Sequence, residues 1–128
     1  MFDWVDYLRF ATSLAQANDP SEAEMRSAIS RAYYAAFNVT RTYLILVRRI
    51  TPINQPHIHV AVWGVLRDSP SPVERRIAQV GFRLLSFRRR AGYDAEYLRI
   101  AYGLRQAIRD TERLIDAIAG LSQTNSDF

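Results

Sequence analysis

The feature that most constrains this chain is the spacing of its apolar residues, which keeps a helical period throughout. Over residues 72–91, Val73, Ile77, Val80, Leu84, Phe87 and Ala91 fall on one stripe. Over residues 95–121, Tyr97, Ala101, Leu104, Ile108, Thr111, Ile115 and Ile118 do the same, and Val5, Leu8, Ala11, Thr12 and Ala15 mark a first helix over about residues 2–17. Runs of β-branched residues bounded by turn signals are missing, as are Gly-led hairpins. Helices of this kind must hide their stripes against one another, so the spacing predicts a bundle.

Local signals set the boundaries. Ser21 with Glu24 three residues later is a capping box. It opens a second helix reaching Arg49, about 42 Å long at 1.5 Å per residue. Acids at its start (Glu22, Glu24) and Arg48 and Arg49 at its end suit the macrodipole. The prolines of "ITPINQP" and "RDSPSP" break the pattern on either side of a short helix over residues 57–66. Ser71, Pro72 and Glu74 form a second capping box with proline at the first helical position. "AGYD" interrupts the fourth helix, and Asp94 is expected to cap a fifth that ends near Leu121. The expected architecture is all-α: an antiparallel helical bundle of four long helices plus one short helix. It forms one domain over residues 1–121, with 122–128 a frayed tail.

In the second helix, Ala28, Ala32, Ala35 and Ala36 offer a small-residue surface, and Met25, Ile29, Tyr33, Phe37, Tyr43 and Leu44 a wide apolar band. Such a helix is central, contacted on more than one side. Tyr33 and Tyr34 point about 100° apart, so they are not expected to face one groove. One belongs in the core with its hydroxyl on a polar partner, and the other faces a second subunit.

Composition removes several function classes. Cysteine is absent, which excludes disulfides, thiolate metal sites and a cysteine nucleophile. The two histidines, His57 and His59, are two apart and fall on different helix faces, so no metal site is expected. There is no Gly-rich phosphate loop and no nucleophile elbow, and no cofactor is implied. The longest aliphatic run, residues 44–47, is too short to span a bilayer. Asp3 and Asp6 stand where a secretory leader carries bases, so the expected location is cytoplasmic, with no membrane partner.

All 17 basic residues are arginine and the net charge is +4. Arginine forks onto phosphate, but a genomic preference for arginine codons gives the same composition. Residues 74–90 hold six arginines and one glutamate. Arg76, Arg83 and Arg90 recur every seven residues, beside Arg88 and Arg89. They form either a solvated face or a phosphate-contacting ridge for RNA or a nucleotide, with Tyr93 near enough to stack on a base.

Two blocks carry a family resemblance. "SRAYYAAF", with Ser30, Arg31, Tyr33, Tyr34 and Phe37, resembles the second helix of HEPN-domain proteins of the small stand-alone bacterial and archaeal branch. "LLSFRRRAGYDAEY" is similar to that branch's segment before the last long helix: Leu84, Arg88, Ala91 and Tyr93 match, while Gly92 replaces the usual aspartate. The resemblance implies the same bundle and a homodimer. It also implies a place in a toxin–antitoxin or defence unit, with a minimal nucleotidyltransferase as a partner.

Many HEPN proteins are ribonucleases whose signature is an arginine followed, after four to six residues, by a histidine. Arginine suits the scissile phosphate and histidine suits proton transfer near neutral pH. Here that motif is absent: positions 50 to 54 hold no arginine. The expected function is therefore an RNA- or nucleotide-binding module without the usual nuclease pair. Two alternatives stand beside it. One is a ribonuclease with a rearranged site drawn from Arg88, Asp94 and His57 or His59. The other is a non-catalytic dimeric scaffold. Counting from the turn between the third and fourth helices places the histidines nearer Phe82 and Arg83 than Arg90.

Overall fold

Each boundary is set by where backbone N–H groups find acceptors. The computed structural model describes residues 2–51 and 57–126; these form five helices and no strand. Helix α1, Val5–Ala15, starts where Asp3 accepts the Val5 N–H at 3.0 Å. Helix α2, Glu22–Leu46, carries the full capping box of Ser21 and Glu24. Helix α3 is Ile58–Arg67, α4 is Pro72–Tyr93 and α5 is Ile100–Ser126. The all-α bundle is as the periodicity implies. Residues 52–56, which hold the proline break before α3, and residues 127–128 of the tail lie outside the described residues.

Four boundaries differ from expectation. First, α2 stops at Leu46 rather than Arg49. Arg49 takes a left-handed φ of 56°, and the Ile50 N–H turns back onto the Leu44 carbonyl at 2.9 Å. Second, the box at Ser71 is only half formed. Ser71 accepts the Glu74 N–H at 3.3 Å, but the Glu74 carboxylate does not return the contact. It is instead 2% exposed and accepts from Ser69 Oγ at 2.6 Å, Tyr43 Oη at 2.5 Å and the Arg48 guanidinium. Third, Asp94 closes α4 rather than opening α5, which begins six residues later, after Arg99 at φ 59°. Fourth, α5 continues through residues 122–126 instead of fraying after Leu121.

The contacts give the directions. Trp63 lies on Gly81 and Ser69 on Glu74, so α3 and α4 are antiparallel. Arg48 reaches Glu74 while Arg26 reaches the far end of α4, making α2 and α4 antiparallel as well. Arg83 meets Asp110, with Arg76 and Arg113 on one groove. This runs α5 back along α4 and parallel to α2. Helix α2 touches all four others, and its alanines Ala28, Ala32, Ala35 and Ala36 are fully buried. It is the central helix that the apolar band implies. On α5, Leu104, Ile108, Thr111 and Ile118 are buried, but Ala101 is exposed. No helix among the described residues is long and apolar enough to cross a membrane.

Candidate functional site

The two adjacent tyrosines converge on one histidine. Tyr33 is fully buried, and its hydroxyl lies 2.8 Å from His59 Nδ1 and 3.0 Å from Trp63 Nε1. The indole N–H can only donate, so it donates to the phenol oxygen. The phenol has one proton to give, and donating it to His59 Nδ1 corresponds to the tautomer that carries the imidazole hydrogen on Nε2. Burial pushes the Tyr33 phenol far above its ordinary value, so it keeps this proton at any working pH. Phe37 completes the surround, with its ring centroid 4.3 Å from that of His59. Tyr34 stands 6.3 Å away, edge to face.

Arg88 joins from α4. Its guanidinium donates to Tyr34 Oη at 2.8 Å and lies 5.3 Å above the Tyr34 ring and 6.0 Å from that of Tyr33. Tyr33 is the core tyrosine with its hydroxyl on polar partners, as expected, but the expectation that the two tyrosines do not face one groove is corrected. Their Cα–Cβ bonds diverge, but their rings, 5.9 Å apart, close on His59 and Arg88 together. Trp63 on Gly81 sets His59, four residues earlier on the antiparallel α3, opposite about Leu85 of α4, and the lean of the side chains closes the rest of the gap to Arg88. Long side chains on a helix lean toward its N-terminus. On α3 that lean runs toward the C-terminal end of α4, while Arg88 leans back to meet it. Burial first, then the charges of Arg88 and Arg89, hold the His59 imidazole below its ordinary pKa and keep it neutral at pH 7.

Carboxylate pairing sets six of the other fifteen arginines apart from Arg88 and Arg89. Arg9, Arg26, Arg48, Arg67, Arg83 and Arg90 each pair with a carboxylate. Arg88 has only phenol and aromatic faces, and Arg89 is exposed with no side-chain partner among the described residues. The result is two uncompensated positive charges beside a neutral imidazole.

The remaining sequence candidates scatter. Arg83 forks onto Asp110 at 2.8 and 2.9 Å; Asp110 is 0% exposed, so this arginine neutralises a buried carboxylate. Arg90 lies 4.3 Å over the Tyr97 ring and 3.7 Å from Asp94. Arg76 borders the α4/α5 groove with Arg113. Arg76 and Arg83 therefore face α5, whereas Arg90 lies against Tyr97 and borders the α3/α4 cleft with Arg89, and Arg88 faces the tyrosines of α2. Asp94 does not join the His59 cluster, and His57 is exposed at the N-cap of α3 without a side-chain capping bond. Ser30 is half-buried, and Arg31 stacks 4.9 Å from the Tyr7 ring, tying α1 to α2. Among the described residues, no group of His, Asp and Glu could hold a metal ion.

Two residues that the sequence reading passed over position the site. Trp63 is 0% exposed and orients Tyr33. It stands four residues from His59, hence on the same face, and this spacing was the available signal. Arg26 donates to the Ala91 carbonyl at 3.0 Å and the Ala95 carbonyl at 3.4 Å, closing the end of α4 that carries Arg88 to Arg90. No protein-family model, curated protein or solved structure matches the chain.

Proposed function

We propose that this protein is an RNA-binding module in which Arg88 and Arg89 hold a backbone phosphate next to His59. One observation carries the reading: an arginine and a histidine are assembled from α4 and α3 on one aromatic support, with no carboxylate paired to that arginine among the described residues. A phosphate supplies the missing negative charge, and arginine offers it a bidentate fork. The two HEPN-like blocks support the same reading, because one provides Tyr33, Tyr34 and Phe37 and the other Arg88. A toxin–antitoxin or defence setting, a two-fold homodimer and a minimal nucleotidyltransferase partner belong to that resemblance. Sedimentation at micromolar concentration tests the dimer.

The direct test is binding of a fluorescent single-stranded RNA across a salt series, with the parent, Arg88→Ala, Arg89→Ala and the double variant. Each lost phosphate contact lowers the salt slope by about 0.7 for a single strand. A double variant with unchanged affinity and slope refutes the reading.

A second reading, RNA cleavage, is favoured by one specific observation. His59 and Arg88 border the same two tyrosine rings although they lie 29 positions apart, so one aromatic pair gathers the separated residues without the usual sequence motif. Its participants are Arg88 and His59; Asp94 and His57 lie outside the aromatic cluster. Cleavage of an oligonucleotide by the parent that disappears in both His59→Gln and Arg88→Ala is expected. Cleavage persisting in either variant excludes this mechanism.

A further inference from the structure

Next to the His59–Arg88 pair lies a cleft of about 360 Å³ between the start of α3 and the end of α4, lined among others by Val60, Phe82, Ser86, Arg89, Tyr93 and Asp94. We infer that it is a base-binding subsite, which takes the guanine of a nucleotide whose phosphate lies on Arg88 and Arg89. The inference rests on the phosphate reading above and adds the identity of the base.

Position is the first argument. Val60 follows His59 on α3, and Arg89 follows Arg88 on α4. Arg89 belongs to both places: it lines the cleft, and its charge acts on His59. A phosphate on these arginines therefore leaves its own nucleoside beside the cleft. Size is the second argument. The volume falls at the low end of the roughly 300–1,000 Å³ typical of small-ligand sites, which suits one nucleotide and not a duplex.

Chemistry selects the base. Tyr93 is 79% exposed on the last turn of α4, an unpartnered aromatic face on which a base can stack. Asp94 brings a carboxylate to the same wall, held among the described residues by a long contact of 3.7 Å to Arg90, whose guanidinium is also engaged over the Tyr97 ring. Guanine presents two adjacent donors, N1–H and the N2 amino group, which match the two oxygens of a carboxylate. Adenine turns a lone pair toward that position at N1. Uracil offers one N–H flanked by two carbonyl oxygens, and cytosine sets an acceptor beside its amino group. A carboxylate accepts and does not donate, so it favours guanine over the other three.

The test is an NMR titration with 5′-GMP, 5′-AMP, 5′-UMP and ribose 5-phosphate, alongside short RNAs that contain or lack one guanine. GMP is expected to bind about tenfold more tightly than AMP, a ratio within the range of one bidentate base contact. Asp94→Asn is expected to abolish that preference. Tyr93→Ala is expected to weaken GMP about tenfold, as the loss of one base stack does, while leaving ribose 5-phosphate unchanged. Both residues are exposed, so the variants keep the fold, which circular dichroism checks. A preference shown by the RNAs but not by free GMP assigns the guanine to a strand; the reverse assigns it to a free nucleotide. Equal binding of GMP and AMP with no guanine preference among the RNAs, or a preference that survives Asp94→Asn, overturns the inference. Ribose 5-phosphate binding as tightly as GMP also overturns it but leaves the phosphate reading standing. Failure of every phosphate compound and every RNA to bind overturns both.

Discussion

Replacing Tyr33 by phenylalanine removes one oxygen and tests the arrangement around which the site is built. The ring keeps its stacking on Phe37, with centroids 6.0 Å apart and planes 15° from parallel, so no cavity opens. Two hydrogen bonds are lost. Trp63 Nε1, on a residue that is 0% exposed, loses its acceptor and has no water to replace it. An unsatisfied buried donor of this kind costs about 1–3 kcal/mol. The bond to His59 Nδ1 adds about 0.5–1.5 kcal/mol, because that imidazole is only partly buried and recovers some hydration. The sum is about 1.5–4.5 kcal/mol, whose midpoint for a chain of this length lowers Tm by roughly 10 °C. Urea unfolding followed by far-ultraviolet circular dichroism reads the loss as a lower midpoint at unchanged m. A second readout concerns the site itself. Nitrogen NMR of the parent is expected to show His59 protonated on Nε2, and the variant to lose that fixed tautomer. A Tyr33→Phe protein within about 0.5 kcal/mol of the parent, with its His59 tautomer unaltered, refutes the Trp63–Tyr33–His59 chain.

Four further outcomes follow from the packing and the charges. Gly81→Ala places a Cβ 2.2 Å from the Trp63 ring, so overpacking of about 1–3 kcal/mol outweighs the gain in helix propensity of about 1 kcal/mol; a raised urea midpoint contradicts this. Arg83→Ala strips the buried Asp110 of its cation and leaves only the Gln106 amide at 3.2 Å. It should destabilise the fold by about 3 kcal/mol yet leave the RNA salt slope unchanged, and the opposite pattern would return Arg83 to the binding surface. For Glu74, burial raises the carboxyl pKa, but hydrogen bonds from Arg48, Ser69 and Tyr43 outweigh it and the net shift is downward. Its stabilising contribution is therefore full above the ordinary value of 4.5 and lost as pH falls below it; Glu74→Gln should flatten the stability–pH curve in that acid range, and an unchanged curve speaks against the network. The His59 imidazole, held low by burial and then by Arg88 and Arg89, should titrate at higher pH once a phosphate offsets those charges, and an NMR titration with and without RNA that shows no upward movement counts against the shared site.

Much of the fold was legible because a helical stripe is a local pattern with a long-range consequence. Ile77 and Leu84 on α4, and Leu104 and Ile108 on α5, are buried as their spacing implies. Boundaries failed where a side chain chose a tertiary partner over its local one. Glu74 satisfies the sequence rule for a capping box, but Tyr43 and Arg48 arrive from 31 and 26 positions away and take its carboxylate. The Ser71 N–H that the box would have served goes to Ser69 Oγ at 3.0 Å instead. Asp94 has the composition of an N-cap, yet Arg26 holds the preceding carbonyls and keeps α4 helical through Tyr93. Neither competitor is adjacent in sequence, so neither was visible there.

The candidate site illustrates the same limit in chemical form. An arginine and a histidine separated by four to six residues on one helix can be found by reading along the chain. Here His59 lies on α3 and Arg88 on α4, and only the aromatic pair on α2 brings them together. What the sequence did contain was each half: a tyrosine pair with no evident task, and a run of three arginines with too few carboxylates nearby. The pairing pattern shows which arginines are used up by the fold. Arg83 and Arg48 balance Asp110 and Glu74, both of them buried. Removing either arginine therefore changes stability before it changes binding. Arg88 and Arg89 balance nothing among the described residues, so their removal should act in the opposite order. That ordering, measured on one set of alanine variants by unfolding and by RNA binding together, separates a functional cation from a structural one without any knowledge of the ligand.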